Sequence, residues 1–450
     1  MRYFLDPFGC AKNQVDAEIM MSLLNGGGWS SGGDPEEADL IIVNSCGFIE
    51  KAKQESINAV LAWRKAYPEK KILLAGCLSQ RYGKELSESL PEADALLGSA
   101  ELDRVAEAAA KLVPPGRRAG AGSSGTGLFP AAGMAGERGR RPLLGFPGSA
   151  YVKISEGCDN RCSFCAIPLI RGGLVCRKIP DVIAECGELL RRGIRELCLI
   201  GQDLASYKPG LAALLAALSR LEGNFWVRLL YLHPDHFPED ILGILRSDSR
   251  LLPYFDIPFQ HGSKKILRAM NRRGDAPSYL ELLEKIRDAL PGAVIRSSFL
   301  TGFPGETGED FGELLDFQAA ARFDWLGVFT YSREDGTAAY NMKGRVDKKT
   351  AAERKALIEQ RQAAISGAAA KRFIGRDMDV LVEEPMGSAG KAPFRGAETA
   401  EDYLYLGRLY SQAPEVDGAA VIHGPSALKP GDLVRGRVFA GTGFDLQVSV

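Results

Sequence analysis

Three things are scarce in this 450-residue chain. No apolar run approaches the roughly 18 residues that a bilayer-crossing helix needs, so the sequence predicts no membrane segment. The acid Asp6 stands where an export signal would need its apolar core, and the expectation is a cytoplasmic protein. A surplus of one charge is also absent: 56 Lys and Arg face 57 Asp and Glu, for a net charge of −1. Bulk attraction to nucleic acid would call for a positive excess, which leaves only local patches for that purpose. There are four histidines in all, and no Ser/His/Asp set or phosphate-binding loop stands out as a rival source of chemistry. The remaining composition, 45% hydrophobic and 25% charged, is that of an ordinary globular chain. At about 150 residues per domain, it has room for roughly three domains.

Residues 1–113 alternate short apolar runs (Tyr3 to Leu5, Leu40 to Val43, Ile72 to Ala75, Ala95 to Leu97) with helical patterns such as Glu50 to Tyr67 and Leu102 to Leu112. That alternation predicts βαβ units on a parallel sheet. Residues 114–149 are rich in Gly, Pro and Arg and read as a linker. Six further strand candidates follow within residues 150–346: Tyr151 to Ile154, Leu197 to Ile200, Trp226 to Tyr231, Tyr254 to Pro258, Val294 to Leu300 and Leu326 to Tyr331. With helices between most of them, they predict a partial (βα)6 barrel of the TIM type, whose working loops lie at the C-terminal strand ends. A charged, alanine-rich helix over 347–372 leads to four short strands in 373–450 (Met378 to Glu383, Tyr403 to Leu409, Gly418 to Ile422 and Leu433 to Phe439) with turn punctuation, the pattern of a small β-barrel. The class is α/β with a β-barrel appended.

Against this background the nine cysteines are conspicuous. An odd number in a long chain with no export signal argues for metal or redox chemistry rather than a disulfide framework. Cys158, Cys162 and Cys165 in EGCDNRCSFCAIP lie close enough for one loop to turn all three thiols onto one centre. A closed zinc site would need a fourth ligand, for which Cys176 is the nearest candidate. With three ligands, an iron–sulfur cube keeps one iron open for a substrate or cofactor. Asp159, Asn160 and Arg161 between the thiols make a merely packed, apolar cluster implausible.

Cys10, Cys46 and Cys77 are 36 and 31 residues apart, yet each directly follows a predicted strand: FLDPFGC, LIIVNSCGF and ILLAGCLSQ. Parallel strands place such ends on one sheet edge, so the thiols could converge, with Gly9, Gly47 and Gly76 easing the turns. From spacing alone, three small buried residues at strand ends serve equally well. Cys186 and Cys198 read as core, and Cys176 is left without a role.

The loop after the first barrel strand resembles the cluster motif of the radical S-adenosylmethionine enzymes, with Phe164 matching their aromatic position. FGCAKNQVDAEIM, VNSCGFIEKAKQESI and AGCLSQRY are similar to the three N-terminal motifs of the methylthiotransferases. DIPFQHGSKKILRAMNRRG, from Asp256 to Gly274, extends the match. The resemblance implies two 4Fe-4S clusters, one held by Cys158, Cys162 and Cys165 and an auxiliary one by Cys10, Cys46 and Cys77. It also implies S-adenosylmethionine as a cofactor, contacted by Gln202, Asp203, Gln260, Gly302, Gly305 and Glu306. His261 could face the cofactor or cap the following helix.

Within that family one branch modifies an adenosine of tRNA and another an aspartate of ribosomal protein S twelve. CAIPLIRG, NSCGFIEKAKQES and LLYLHP side with the protein-modifying branch, whereas the tRNA branch would show a CxxPYTRG-like string. The final domain resembles the TRAM module. From Lys371 onward it carries nine Lys and Arg against eleven Asp and Glu, a balance that suits a basic protein better than RNA. The partners expected are therefore ribosomal protein S twelve and an electron donor.

Overall fold

A computed structural model describes residues 1–114, 140–391, 401–425 and 427–450. Most of the expected linker, 115–139, lies outside the described residues.

In the first region β1 (Arg2–Pro7), β2 (Ser30–Ser31), β3 (Leu40–Ser45), β4 (Lys71–Gly76) and β5 (Ala95–Gly98) form an all-parallel sheet in the order β2-β1-β3-β4-β5. The run Leu-Ile-Ile-Val in β3 is buried on both faces. Leu40 and Ile42 meet Met20 and Leu24 of helix α1 (Ala11–Gly26) on one side, and Ile41 and Val43 meet Val60 on the other. A strand buried twice over is continuously apolar, and each such side chain contributes roughly 1.5–3 kcal/mol.

The second sheet is parallel and open, β13-β12-β11-β10-β9-β6. It comprises β6 (Ser149–Lys153), β9 (Glu196–Ile200), β10 (Trp226–Leu229), β11 (Leu251–Asp256), β12 (Val294–Thr301) and β13 (Trp325–Thr330), while β7 (Ser155–Glu156) and β8 (Val175–Cys176) pair as a separate antiparallel ribbon. Its outer face packs on helices through Val152, Leu199, Val227, Phe255 and Ile295. Its inner face, which a closed barrel would fill by itself, is covered by Ala11 and Val15 of α1 together with Val380, Leu381 and Leu409 from the C-terminal region.

The C-terminal strands β14 (Asp377–Lys391), β15 (Glu401–Leu409), β16 (Ala420–Gly424), β17 (Leu433–Thr442) and β18 (Asp445–Ser449) close into a barrel, β14-β15-β16-β18-β17. The fifth strand, β18, is absent from the sequence-based reading. It is short, and it joins the sheet by antiparallel pairing with β17 and parallel pairing with β16.

Buried ion pairs fasten the regions together. Arg408 of β15 reaches Glu196 at 2.6 Å and Glu383 at 2.6 Å, while Arg228 meets Glu196 at 2.7 Å. Glu196 opens β9, so the small barrel docks toward the N-terminal strand ends. Arg141, just past the undescribed stretch, is fully buried between Glu18 of α1 (2.8 Å) and Glu185 (2.6 Å). Glu334, in the loop after β13, holds Arg81 at 2.6 Å and Lys53 at 3.0 Å. These contacts set α1 across the mouth of the open barrel.

Candidate active site

The loop after β6 carries Cys158, Cys162 and Cys165, and the fold pins it on both sides. Gly157 enters it at φ +71, where a Cβ would stand 2.1 Å from the Gly173 carbonyl, so only glycine fits. The Cys158 N–H donates to Gly172 O at 3.2 Å and the Cys165 N–H to Cys162 O at 3.0 Å. Asn160 donates to Asp203 at 2.8 Å, Ser163 Oγ to Ala269 O at 2.7 Å, and Asn271 to Arg161 O at 2.7 Å. Each thiol lies within reach of the others' charge. Burial pushes Cys158 up to about 11 and Cys165 up to about 12. Cys158 and Cys165 as free thiols are protonated at neutral pH, and it takes a bound cationic centre to hold them as thiolates.

The topology brings the other three together. Cys10 precedes α1, Cys46 follows β3, and Cys77 opens the helix Cys77–Ser89 behind Gly76, whose φ is +100. A Cβ on Gly9 would lie 3.1 Å from Cys46 Cβ, and one on Gly47 would lie 2.6 Å from Cys77 O, so the three loops touch through glycine. Cys46 and Cys77 are buried. Cys10 is the exposed thiol of the three. Burial would raise Cys10, but the Lys12 and Arg171 cations and the N–H groups of Asn13 and Lys12 outweigh it, and its thiol is lowered. Burial pushes Cys46 up to about 12 and also raises Cys77, which Arg171 opposes.

The two thiol sets share a wall. Ala166, next to Cys165, and Ile170 pack on Cys77 and Phe48. Arg171 ends the same short helix and donates to Cys77 Sγ at 3.0 Å, Asn13 at 2.7 Å, Asp16 at 2.8 Å and Glu156 at 3.1 Å. Among the described residues no three His, Cys, Asp or Glu side chains stand as ligands of one metal ion would. Thiolates on the corners of a four-iron cube stand further apart than ligands of a single ion. Two sets of three soft sulfur donors have the ligand chemistry of iron–sulfur cubes.

The residues expected to contact S-adenosylmethionine are placed unevenly. Gln202 donates to Glu156 at 2.6 Å, and its Oε1 is buried without a partner. Asp203 is occupied by Asn160, Ser206, His236 (2.7 Å) and the Ala205 N–H. Gln260 adopts φ +72 beside Phe299. His261 Nδ1 accepts from the Ser263 N–H at 2.9 Å, at the start of the next helix, while Nε2 points at Glu306, 3.6 Å away. The Glu306 carboxylate turns inward onto the N–H groups of Gly302 (2.8 Å) and Phe303 (3.2 Å) and onto Arg354 (2.5 Å). Gly302 backs onto Ala351, whereas Gly305, at φ +86, has open space at its Cβ position.

The motifs match known families in the same order. Residues 2–98 match an uncharacterized protein family, UPF0004, residues 152–317 the Radical SAM superfamily, and residues 374–450 the TRAM domain. The ribosomal protein uS12 methylthiotransferase RimO of Treponema denticola is 46% identical, with 98% of this chain and 99% of that protein covered. The chain belongs to the RimO methylthiotransferase family. The RimO protein of Thermotoga maritima is 38% identical over the full length of both. Among solved structures, the radical S-adenosylmethionine methyltransferase TsrM of Kitasatospora setae, with cobalamin and a 4Fe-4S cluster bound, is 16% identical. It covers 75% of this chain and 76% of its own at a TM-score of 0.52, a likeness of fold.

Two features of the site escape a reading of the family motifs. Lys153, Asp16, Glu156 and Arg171 form one buried ionic network, with Lys153 to Asp16 at 2.6 Å and to Glu156 at 2.5 Å. Burial works against the Glu156 charge, but Lys153 and Arg171 overcome it and hold the carboxyl far below its usual range. Arg272 is buried with Nε and Nη1 unpartnered, in charge range of Cys165. It lies in the quoted stretch Asp256 to Gly274, where five cations look alike in sequence and only packing tells the buried one apart.

Proposed function

We propose that this protein transfers a methylthio group to the β-carbon of an aspartate in ribosomal protein S twelve, as the names of its relatives and the motif strings indicate. The observation that carries this reading is the shared wall: two three-thiol sites stand back to back on Ala166, Ile170 and Arg171 at the mouth of one barrel. When bound, two 4Fe-4S clusters and S-adenosylmethionine supply a radical that takes hydrogen from an unactivated C–H bond, and the sulfur that replaces it.

The chain's own residues do the rest. Cys158, Cys162 and Cys165 would hold the cluster that binds S-adenosylmethionine, and Cys10, Cys46 and Cys77 would hold the auxiliary cluster that supplies sulfur. Arg272 and Arg171 place positive charge beside the two thiolate sets, which offsets the cost of burying them. Asp203 orients the cluster loop through Asn160, and the Glu306 clamp sets the shape of the loop that Gly305 leaves open. Gln202 Oε1 and Gln260 are the side chains left to meet the cofactor. The helix α1 covers the inner face on the side of the thiol sets and keeps water from the radical.

The protein acts in the cytoplasm, where its substrate is made, and takes electrons from a separate donor. Among the described residues no helix is long and apolar enough to cross a membrane. The test is anaerobic reconstitution with reductant and S-adenosylmethionine, followed by mass spectrometry of the ribosomal protein and tRNA offered together. A methylthio adduct on the aspartate is expected; methylthio-adenosine in tRNA with the protein unmodified would overturn the proposal.

A further inference from the structure

Beside Cys10 stands a cation that makes no salt bridge among the described residues. Lys12, two residues on, is largely buried, and its Nζ reaches no carboxylate and no hydrogen-bond acceptor among the described residues. Its close contact is the ring of Tyr231, 3.4 Å from Nζ to the centroid. The acid in charge range, Asp256 at the end of β11, is already bound by Arg296 at 3.0 Å. The contrast with Arg171 and Lys153 is sharp, because both of those are matched by Asp16 and Glu156. Burial works against the Lys12 charge, but Tyr231, Cys10 and Asp256 outweigh that cost and keep Lys12 charged, and its N–H donors remain free for an incoming anion.

Tyr231 supports this assignment independently. It follows β10 at φ +70, a left-handed conformation that a non-glycine residue adopts only under strain, and the Leu204 N–H holds its carbonyl there at 2.9 Å. The strained turn sets the ring beneath Lys12 at the barrel mouth. The ammonium is thereby aimed by a cation–π contact that leaves its N–H donors free.

We infer that Lys12, seated on Tyr231, is the subsite for the carboxylate of the substrate aspartate and so the residue that selects an acidic side chain over a neutral base. This rests on the proposed activity and names the group that reads its substrate. A carboxylate on Lys12 would hold the adjacent β-carbon beside Cys10, the accessible thiol of its set. An adenine carries no charge to satisfy the ammonium.

The test is a binding cycle on the reconstituted holoenzyme without reductant, so that no turnover occurs. Wild type and Lys12→Met are each titrated with a ribosomal protein S twelve peptide bearing the target Asp, and with the same peptide bearing Asn. Lys12→Met is expected to weaken the Asp peptide roughly 10- to 100-fold while changing the Asn peptide little, since a hydrogen bond to a charged group is worth about 1.5–3 kcal/mol. Equal effects on both peptides would overturn the assignment. So would loss of iron from the variant, because Lys12 would then be a support for the auxiliary cluster. Modification of ribosomal protein S twelve by wild type is followed in parallel. Its absence counts against the proposed activity, whereas its presence with an uncoupled cycle counts against Lys12 alone.

Discussion

The two cysteine sites reach similar chemistry by opposite routes. Cys158, Cys162 and Cys165 fall within eight residues, and their loop is held by local bonds and by the turn at 269–271. Cys10, Cys46 and Cys77 spread over 68 residues and meet only because β1, β3 and β4 are parallel neighbours. A local motif carries its geometry wherever its loop goes, but a distributed one exists only as long as the sheet keeps its order. Both are built through glycine: Gly157 closes on Gly173 at the local site, and Gly9 and Gly47 close on Cys46 and Cys77 at the distributed one.

The largest effects should come from the thiols themselves. Cys162→Ala is expected to drop iron from about eight per chain to about four and to abolish formation of 5′-deoxyadenosine from S-adenosylmethionine. Cys46→Ala should lose the same iron, yet still form 5′-deoxyadenosine without methylthio product. Full iron in either variant would remove that cysteine from the ligand set.

Arg171→Met probes the wall between the sites. It leaves Asp16 and Glu156 short of a buried cation, so a loss of about 3–5 kcal/mol in urea unfolding is expected, with both clusters disturbed. An unchanged midpoint would show the two sites to be energetically separate.

Acid should loosen the far end of the barrel. Burial disfavours the Glu196 charge, but Arg408 and Arg228 outweigh it and lower its pKa from 4.5 to about 2. The group is depressed in the folded state, so its stabilisation is complete above pH 4.5 and fades as pH falls from 4.5 toward 2. Glu196→Gln should flatten that part of the stability curve; an identical acid limb in both proteins would exclude the pair as its source.

The smallest effect contrasts two glycines of one loop. Gly302→Ala would place a Cβ 2.6 Å from Ala351 Cβ at φ +74 and should cost about 1–3 kcal/mol in thermal unfolding. Gly305→Ala, at φ +86 in open space, should cost about 1 kcal/mol. It should act on S-adenosylmethionine affinity more than on stability.

Much of this was legible in the residues. Apolar runs such as Leu40 to Val43 and Leu197 to Ile200 marked strands because a doubly buried parallel strand has no polar face to disguise it. The strand β18 was hidden because five alternating residues are too few to distinguish a strand from a loop until β16 and β17 offer their edges. Glu306 reads in sequence like a ligand contact in a glycine-rich turn, but its carboxylate is taken up by Gly302, Phe303 and Arg354, a partner 48 residues away.

By itself the sequence determined the order of the three regions, the spacing of the local thiols and the strand ends that carry the distant ones. These depend on periodicity and short-range geometry, which neighbouring residues set. Only the tertiary structure decided which charges are matched. Arg171 and Lys153 are spent on Asp16 and Glu156, while Lys12 and Arg272 are left unpaired at the two thiol sets. Pairing is a matter of a few ångströms between residues that packing brings together from far apart in the chain, and no run of neighbours records it.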